Sequence, residues 1–255
     1  VVPRALIDGI DIAWERAGSG PPLLFLHGSG TSMAVNGVLR RPLERHFDVL
    51  TLDHRATGAS QIPERGFTMA DCARDALALV DLAGWDRFRV LGMSFGGMVA
   101  QELAVTVPDR VERLALLCTS AGGAGGSSFP LHEGPPAPTV IDTRFTPAWL
   151  ADHPRDRFLI EMLAKRAEGK SFDEIRGEGM QLDARRHHDV WDRLDRITCP
   201  TLVAAGRYDG LAPMANSEAI ASRIDGSIVR VYEGGHIFLI QDRTSMEGVI
   251  DFLVR

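Results

Sequence analysis

Val90-Leu91-Gly92-Met93-Ser94-Phe95-Gly96-Gly97 begins as an apolar strand, breaks at Gly92-Met93-Ser94-Phe95-Gly96, and restarts at once as a helix. This spacing is a nucleophile elbow. Held out of the chain on a sharp strand-to-helix turn, a serine hydroxyl is open to a base on one side and a carbonyl on the other. The turn forces backbone strain on Ser94. The glycines two residues before and two after it relieve crowding against the neighbouring strand and the helix start.

Outward from the elbow, the chain alternates short apolar runs with helical stretches. Leu23-Leu24-Phe25-Leu26, Val49-Leu50-Thr51-Leu52, Phe88 to Leu91, Leu114 to Cys118, Leu202 to Ala205 and Ile228 to Val231 are nearly continuous apolar runs. Such runs fit strands buried on both faces of a parallel sheet. Ahead of them, Ala5 to Glu15 alternates around Asp8-Gly9, which predicts an antiparallel hairpin at the sheet edge. Helices are expected near residues 36–45, over 68–82 with Cys72, Ala76 and Leu79 inward, from the elbow to Pro108, and around Met246, Val249, Ile250 and Leu253. The expected architecture is α/β, a mostly parallel, doubly wound sheet of eight strands.

Residues 121–195 depart from that alternation, opening on Ala-Gly-Gly-Ala-Gly-Gly-Ser-Ser without a strand-like run. They read as a helical insertion, leaving 1–120 and 196–255 as the main domain. Thr146-Pro147 reads as a cap followed by Pro at the first helical position, Pro154 opens a helix that Gly169 stops, and Ser171-Phe172-Asp173-Glu174 has capping-box spacing.

The bulk composition excludes several classes. The chain has 255 residues, 45% hydrophobic and 24% charged, with a net charge of -6. No global basic field exists to attract nucleic acid or an anionic membrane surface, so neither is an expected partner. No apolar run reaches transmembrane length, and residues 1–20 lack the basic start and apolar core of a signal peptide, so a cytoplasmic location is expected. Cys72, Cys118 and Cys199 are odd in number and widely spaced, as befits reduced packing residues.

A serine nucleophile needs a base, and the base needs a carboxylate that fixes its tautomer. Leu202 to Asp209 carries a carboxylate just past a buried strand, and Val229 to His236 carries an imidazole just past the next. Ser94, Asp209 and His236 thus fall at the carboxyl ends of three strands, where open parallel sheets bind ligands. For the oxyanion the loop Leu26-His27-Gly28-Ser29-Gly30 offers backbone amides. Those of Ser29 and Phe95 are the predicted donors, with Gly30 next in line.

Together these segments resemble the α/β-hydrolase fold: His27-Gly28, Asp53 to Ser60, Gly92 to Gly97, Gly206-Arg207-Tyr208-Asp209 and Gly234-Gly235-His236. The resemblance implies nucleophile Ser94, acid Asp209 and base His236, with a cap inserted after the sixth strand. Asp53-His54-Arg55-Ala56-Thr57-Gly58-Ala59-Ser60 has Ala56 where the family loop usually has glycine, and is similar to the methylesterase form of that loop. It therefore points to small or medium carboxylic esters, lactones and thioesters included, cleaved through an acyl-enzyme without cofactor or metal. A carbon-carbon bond hydrolase of a vinylogous diketone is the second reading, because His27-Gly28-Ser29-Gly30 resembles the start of that group's loop. Enol-lactonase and cofactor-free perhydrolase activities follow, and a hydrolase-fold ligand receptor is the alternative outside catalysis. The dehalogenases and epoxide hydrolases of this fold use a carboxylate where Ser94 stands.

Other residues read more quietly. His27 is expected to shape its loop by hydrogen bonding. Asp53 and Arg55 are expected to pair, and His187-His188, with His153 and Cys199 nearby in sequence, to lie on a solvated helix face because metal-ligand spacing is lacking. Phe129, Trp149, Phe158 and Met162 are either pocket lining or cap packing.

Overall fold

The computed structural model describes residues 2–126, 147–152, 154 and 169–255. Eight strands form one sheet: β1 (Arg4–Ile7), β2 (Ile10–Gly18), β3 (Pro22–Leu26), β4 (Asp48–Leu52), β5 (Phe88–Met93), β6 (Val111–Leu117), β7 (Thr201–Gly206) and β8 (Ile228–Tyr232). Their spatial order is β1-β2-β4-β3-β5-β6-β7-β8. The β1–β2 and β2–β4 pairs are antiparallel and every other pair is parallel, so β2 alone runs against the rest. The predicted hairpin is present, turning at Asp8 (φ 49°) and Gly9 (φ 78°), as a tight two-residue hairpin turn requires.

Alternation along each central strand explains the double winding, since successive side chains point to opposite faces. Leu24, Leu26, Leu50, Leu52, Val90, Leu114 and Leu116 join a core with α2 (Met69–Leu82) and α3 (Phe95–Thr106). Leu23, Phe25, Val49, Leu91, Ala115 and Leu117 join the opposite core with α1 (Gly37–Leu43) and α8 (Arg243–Val254). Both cores need strands with apolar residues on both faces, which is why these strands read as nearly continuous apolar runs.

Between β6 and β7 the described residues include α4 (Pro147–Asp152) and α5 (Phe172–Arg186). The Ser171 hydroxyl accepts the Glu174 N–H at 3.2 Å and the Glu174 carboxylate accepts the Ser171 N–H at 2.8 Å, completing the expected capping box. The contact of α5 with the main body is thin. Gly177 sits so close to Ala56 that a β-carbon there would collide with the Ala56 carbonyl, and only Gly177, Gln181 and Ala184 of the helix are buried. Past α5, Val190 N–H bonds to Ala121 O at 2.9 Å, closing the base of the segment beside the end of β6. The Thr146 cap, the helix after Pro154, His153, Phe129, Phe158, Met162 and the Trp149 side chain lie outside the described residues. The chain ends with α6 (Met214–Arg223) before β8, then α7 (Phe238–Gln241) and α8.

Two expectations need correction. Arg55 pairs with Asp75 rather than Asp53, through Nε to Oδ2 at 2.5 Å and Nη2 to Oδ1 at 2.7 Å. Asp53 instead accepts backbone N–H groups from Met33 at 2.6 Å and Ala59 at 2.8 Å. Two residues apart on a turning loop, the two side chains face different neighbours. His188 is buried, not solvated, because the chain folds back onto β6 immediately after α5. His187 alone of that pair is exposed, and Cys72, Cys118 and Cys199 are all buried thiols.

Candidate active site

At the carboxyl end of β5 the backbone turns through Ser94 with φ 54° and ψ -118°, and α3 starts at the next residue. A non-glycine residue there is strained. The strain is held by neighbours: Ser94 N–H donates to Leu117 O at 2.8 Å, and the Thr119 hydroxyl donates to Ser94 O at 2.7 Å. Gly96 brings the first turn of α3 against β3, where any β-carbon would overlap the Leu26 carbonyl.

His236 follows β8, and its Nε2 lies 3.0 Å from Ser94 Oγ. Its Nδ1 lies 2.8 Å from Asp209 Oδ2, on the loop after β7. An ionised carboxylate only accepts, so Nδ1 carries the proton and Nε2 is left to accept from the serine hydroxyl. The second Asp209 oxygen takes the amides of Leu211 and Ala212, each at 2.9 Å. Its side chain is fully buried while that of His236 keeps 13% of its exposure. The acid is therefore fixed from behind, and the imidazole faces the site. All three residues predicted from order and spacing meet in one hydrogen-bonded row.

The amides expected to face an oxyanion can also be located. Gly28 runs beside the elbow, where a β-carbon would stand 3.6 Å from Ser94 Cβ, and Ser29 follows it. Phe95 is the first residue of α3, so its N–H has no acceptor one turn back in the helix. Gly30, the second choice for the loop donor, has its N–H committed to Gln181 Oε1 at 2.9 Å. Gln181 is wholly buried, and its amide also donates to Arg55 O at 3.2 Å. A single side chain from α5 thus ties the loop after β3 to the loop after β4. Sequence reasoning missed it, since Gly177, Gln181 and Ala184 form a buried face with almost no apolar signal.

Beneath this loop lies a small buried imidazole cluster. His27 Nδ1 bonds to Gly28 O at 2.9 Å, and His27 Nε2 stands 3.7 Å from Asp53 Oδ1. Burial works against ionising Asp53, but His27 and the amides of Ala59 and Met33 outweigh it and hold the carboxyl below its ordinary range. Burial and the neighbouring His27 depress His54 to about 3, leaving it neutral. His27 therefore shapes its loop, as expected, and stands apart from the Ser94 row.

Cys118, with φ 42°, lies behind Asp209. Its sulfur, the Asp209 carboxylate and a His236 ring nitrogen fall within 4.8 Å of one another. Burial and then Asp209 push the thiol well above its ordinary value, so it is protonated and a poor ligand or nucleophile at neutral pH. A metal placed there would also break the Asp209–His236 bond.

The sequence profile of the α/β hydrolase fold matches residues 21–158, the stretch holding β3, β4 and the elbow. The chain belongs to the α/β-hydrolase-fold family. Among its relatives in that family, 3-oxoadipate enol-lactonase 2 of Acinetobacter baylyi is 24% identical, over 96% of this chain and 94% of that protein. The poly(3-hydroxyalkanoate) depolymerase of Ectopseudomonas oleovorans is 27% identical, over 90% and 82% respectively. Among solved α/β-hydrolase structures, Est816, described as an N-acyl homoserine lactone degrading enzyme, superposes with a TM-score of 0.79 at 26% identity, covering 98% of this chain and 99% of Est816. No helix among the described residues is long and apolar enough to cross a membrane.

Proposed function

We propose that the protein is a serine hydrolase that cleaves small or medium carboxylic esters, including cyclic ones, through an acyl-enzyme on Ser94. The observation that carries this reading is the continuous row Asp209–His236–Ser94, with separations of 2.8 and 3.0 Å at the carboxyl end of the sheet. The named relatives support it: a lactone is a cyclic ester, and a poly(3-hydroxyalkanoate) is a polyester.

In this mechanism His236 Nε2 takes the hydroxyl proton as Ser94 Oγ attacks the carbonyl carbon. Asp209 stabilises the imidazolium that forms. The amides of Ser29 and Phe95 receive the negative charge on the carbonyl oxygen, and the positive end of α3 adds to their field. His236 then returns its proton to the departing alkoxide. For a lactone the leaving oxygen stays tethered to the acyl group. Water, deprotonated by the same imidazole, attacks the acyl carbon and frees Ser94. No step calls for a metal or organic cofactor. Residues 121–195 act in this reading as the cap, with Gln181 holding it to the loop that supplies the Ser29 amide, and 1–120 with 196–255 form the catalytic body.

The test is a stopped-flow assay with p-nitrophenyl butyrate. Wild type should release p-nitrophenolate with turnover. Ser94→Ala should lose on the order of 10⁶ in rate, by comparison with serine-triad knockouts elsewhere, while keeping its melting temperature. Unchanged turnover in that variant would reject the acyl-enzyme.

A further inference from the structure

Two arginines packed near the site have carboxylate partners. Arg55 is held by Asp75 and Arg193 by Glu102, the latter through Nη1 and Nη2 at 2.9 and 2.8 Å. Arg185, in the last turn of α5, is half-buried, and its side chain makes no hydrogen bond or ion pair among the described residues.

Helical register gives its direction. Glu178, Gln181 and Arg185 stand at i, i+3 and i+7, on one face of α5. Glu178 lies against Gly30, 3.2 Å from where a β-carbon would be, and Gln181 bonds the Gly30 amide. The face that covers the loop after β3 therefore continues, one turn on, to Arg185. Among the described residues, Asp209 is the charged group whose field reaches the Arg185 guanidinium, while burial works against its charge.

Asp209 and Arg185 form no ion pair. One Asp209 oxygen accepts two amides and the other bonds His236, and the side chain is fully buried. Glu178 is likewise taken, by Lys170 at 2.5 Å. A guanidinium stays protonated under all ordinary conditions and offers five N–H donors. Partly desolvated within the field of Asp209, it is a cation that makes no ion pair among the described residues.

We infer that Arg185 anchors a carboxylate carried by the substrate, so that the preferred substrates are anionic esters or lactones. The inference rests on the hydrolase reading above and narrows its substrate class. A carboxylate matches the planar fork of the guanidinium through two parallel hydrogen bonds. The bond holds the acyl chain by its far end and leaves the ester carbonyl for Ser94. Because the anchor touches no reacting atom, its loss weakens binding of anionic substrates and leaves neutral ones alone.

The experiment compares two p-nitrophenyl esters with acyl chains of equal length: the neutral hexanoate and the adipate hemiester, which ends in a carboxylate. Wild type should favour the hemiester in kcat/KM. Arg185→Gln should lower hemiester kcat/KM by about 30-fold or more, chiefly through KM, in line with loss of one partner of a desolvated charge pair. The neutral ester should stay within about twofold, as expected of uniform loss of one remote contact. Equal losses on both esters, no loss on either, or a wild-type preference for the hexanoate would overturn the anchor.

A second measurement needs no turnover. Calorimetric titration of adipate into Ser94→Ala should give binding that Arg185→Gln removes. Hydrolysis without this Arg185-dependent binding sinks the anchor and spares the hydrolase. Binding without hydrolysis of either ester does the reverse.

Discussion

The loop ends of β5, β7 and β8 and the helix α5 both meet at the candidate site, yet they are held there by different physics. The strands are locked between two apolar layers, and α3 is buried over nearly its whole length. By contrast α5 exposes Phe172 and Ile175 and meets the body through Gly177, Met180, Ala184, Glu178 beside Gly30 and the two hydrogen bonds of Gln181. Burial of large apolar side chains fixes the reacting groups to within hydrogen-bond tolerance. A smaller contact, part polar and part apolar, holds α5. In the proposed reading, chemistry belongs to the first region and selectivity to the second.

The strongest way to break this division is at the acid. Asp209→Asn keeps the shape of the loop but favours the wrong imidazole tautomer, and kcat should fall by on the order of 10⁴ with the fold intact. A loss below tenfold in steady-state assays would mean that another acid serves His236.

A matched pair of glycines tests the two regions directly. Gly96 and Gly177 each press against a backbone carbonyl, that of Leu26 and that of Ala56. Gly96→Ala should cost about 3 kcal/mol in urea unfolding, because neither β3 nor α3 can give way. Gly177→Ala should leave the unfolding midpoint nearly unchanged and alter kcat/KM instead. Equal stability losses in the two variants would show that α5 belongs to the cooperative core.

Gln181→Leu sharpens the link between the regions. Removing its acceptor frees the Gly30 amide and loosens the neighbouring Ser29 amide. A fall of about tenfold in kcat with little change in KM is expected, since an oxyanion donor acts in the transition state. Gln181→Glu, which keeps an acceptor oxygen, should recover part of that loss.

The gentlest effect is on acid stability. His54 and His188 are pulled from 6.5 to about 3 and about 4 by burial. Below pH 6.5 the unfolded chain binds protons that the folded chain refuses, so stability present above 6.5 is lost as pH falls through 4 toward 3. Urea midpoints should be level between pH 7 and 8 and decline below pH 6.5, and His188→Gln should make that decline shallower.

The same division governs what the amino-acid sequence reveals. The buried strands announce themselves because both faces must be apolar. The elbow, Asp209 and His236 announce themselves because each follows such a strand within a few residues. The contact surface of α5 gives no such signal: glycine, glutamine and alanine on one face resemble a solvated helix. Arg55 shows another limit. Its partner Asp75 lies 20 positions away on α2, whereas Asp53 is nearer in sequence and points elsewhere. Short-range spacing exposes what the backbone arranges, while side-chain partners across elements depend on packing that no local pattern encodes.

The clamp on the elbow backbone has one more implication. Leu117 O and the Thr119 hydroxyl secure the amide and carbonyl of residue 94, and neither touches its side chain. The turn at the top of β5 is thus set by backbone bonds that do not pass through the hydroxyl. The group carried there can be exchanged without removing the bonds that shape the turn.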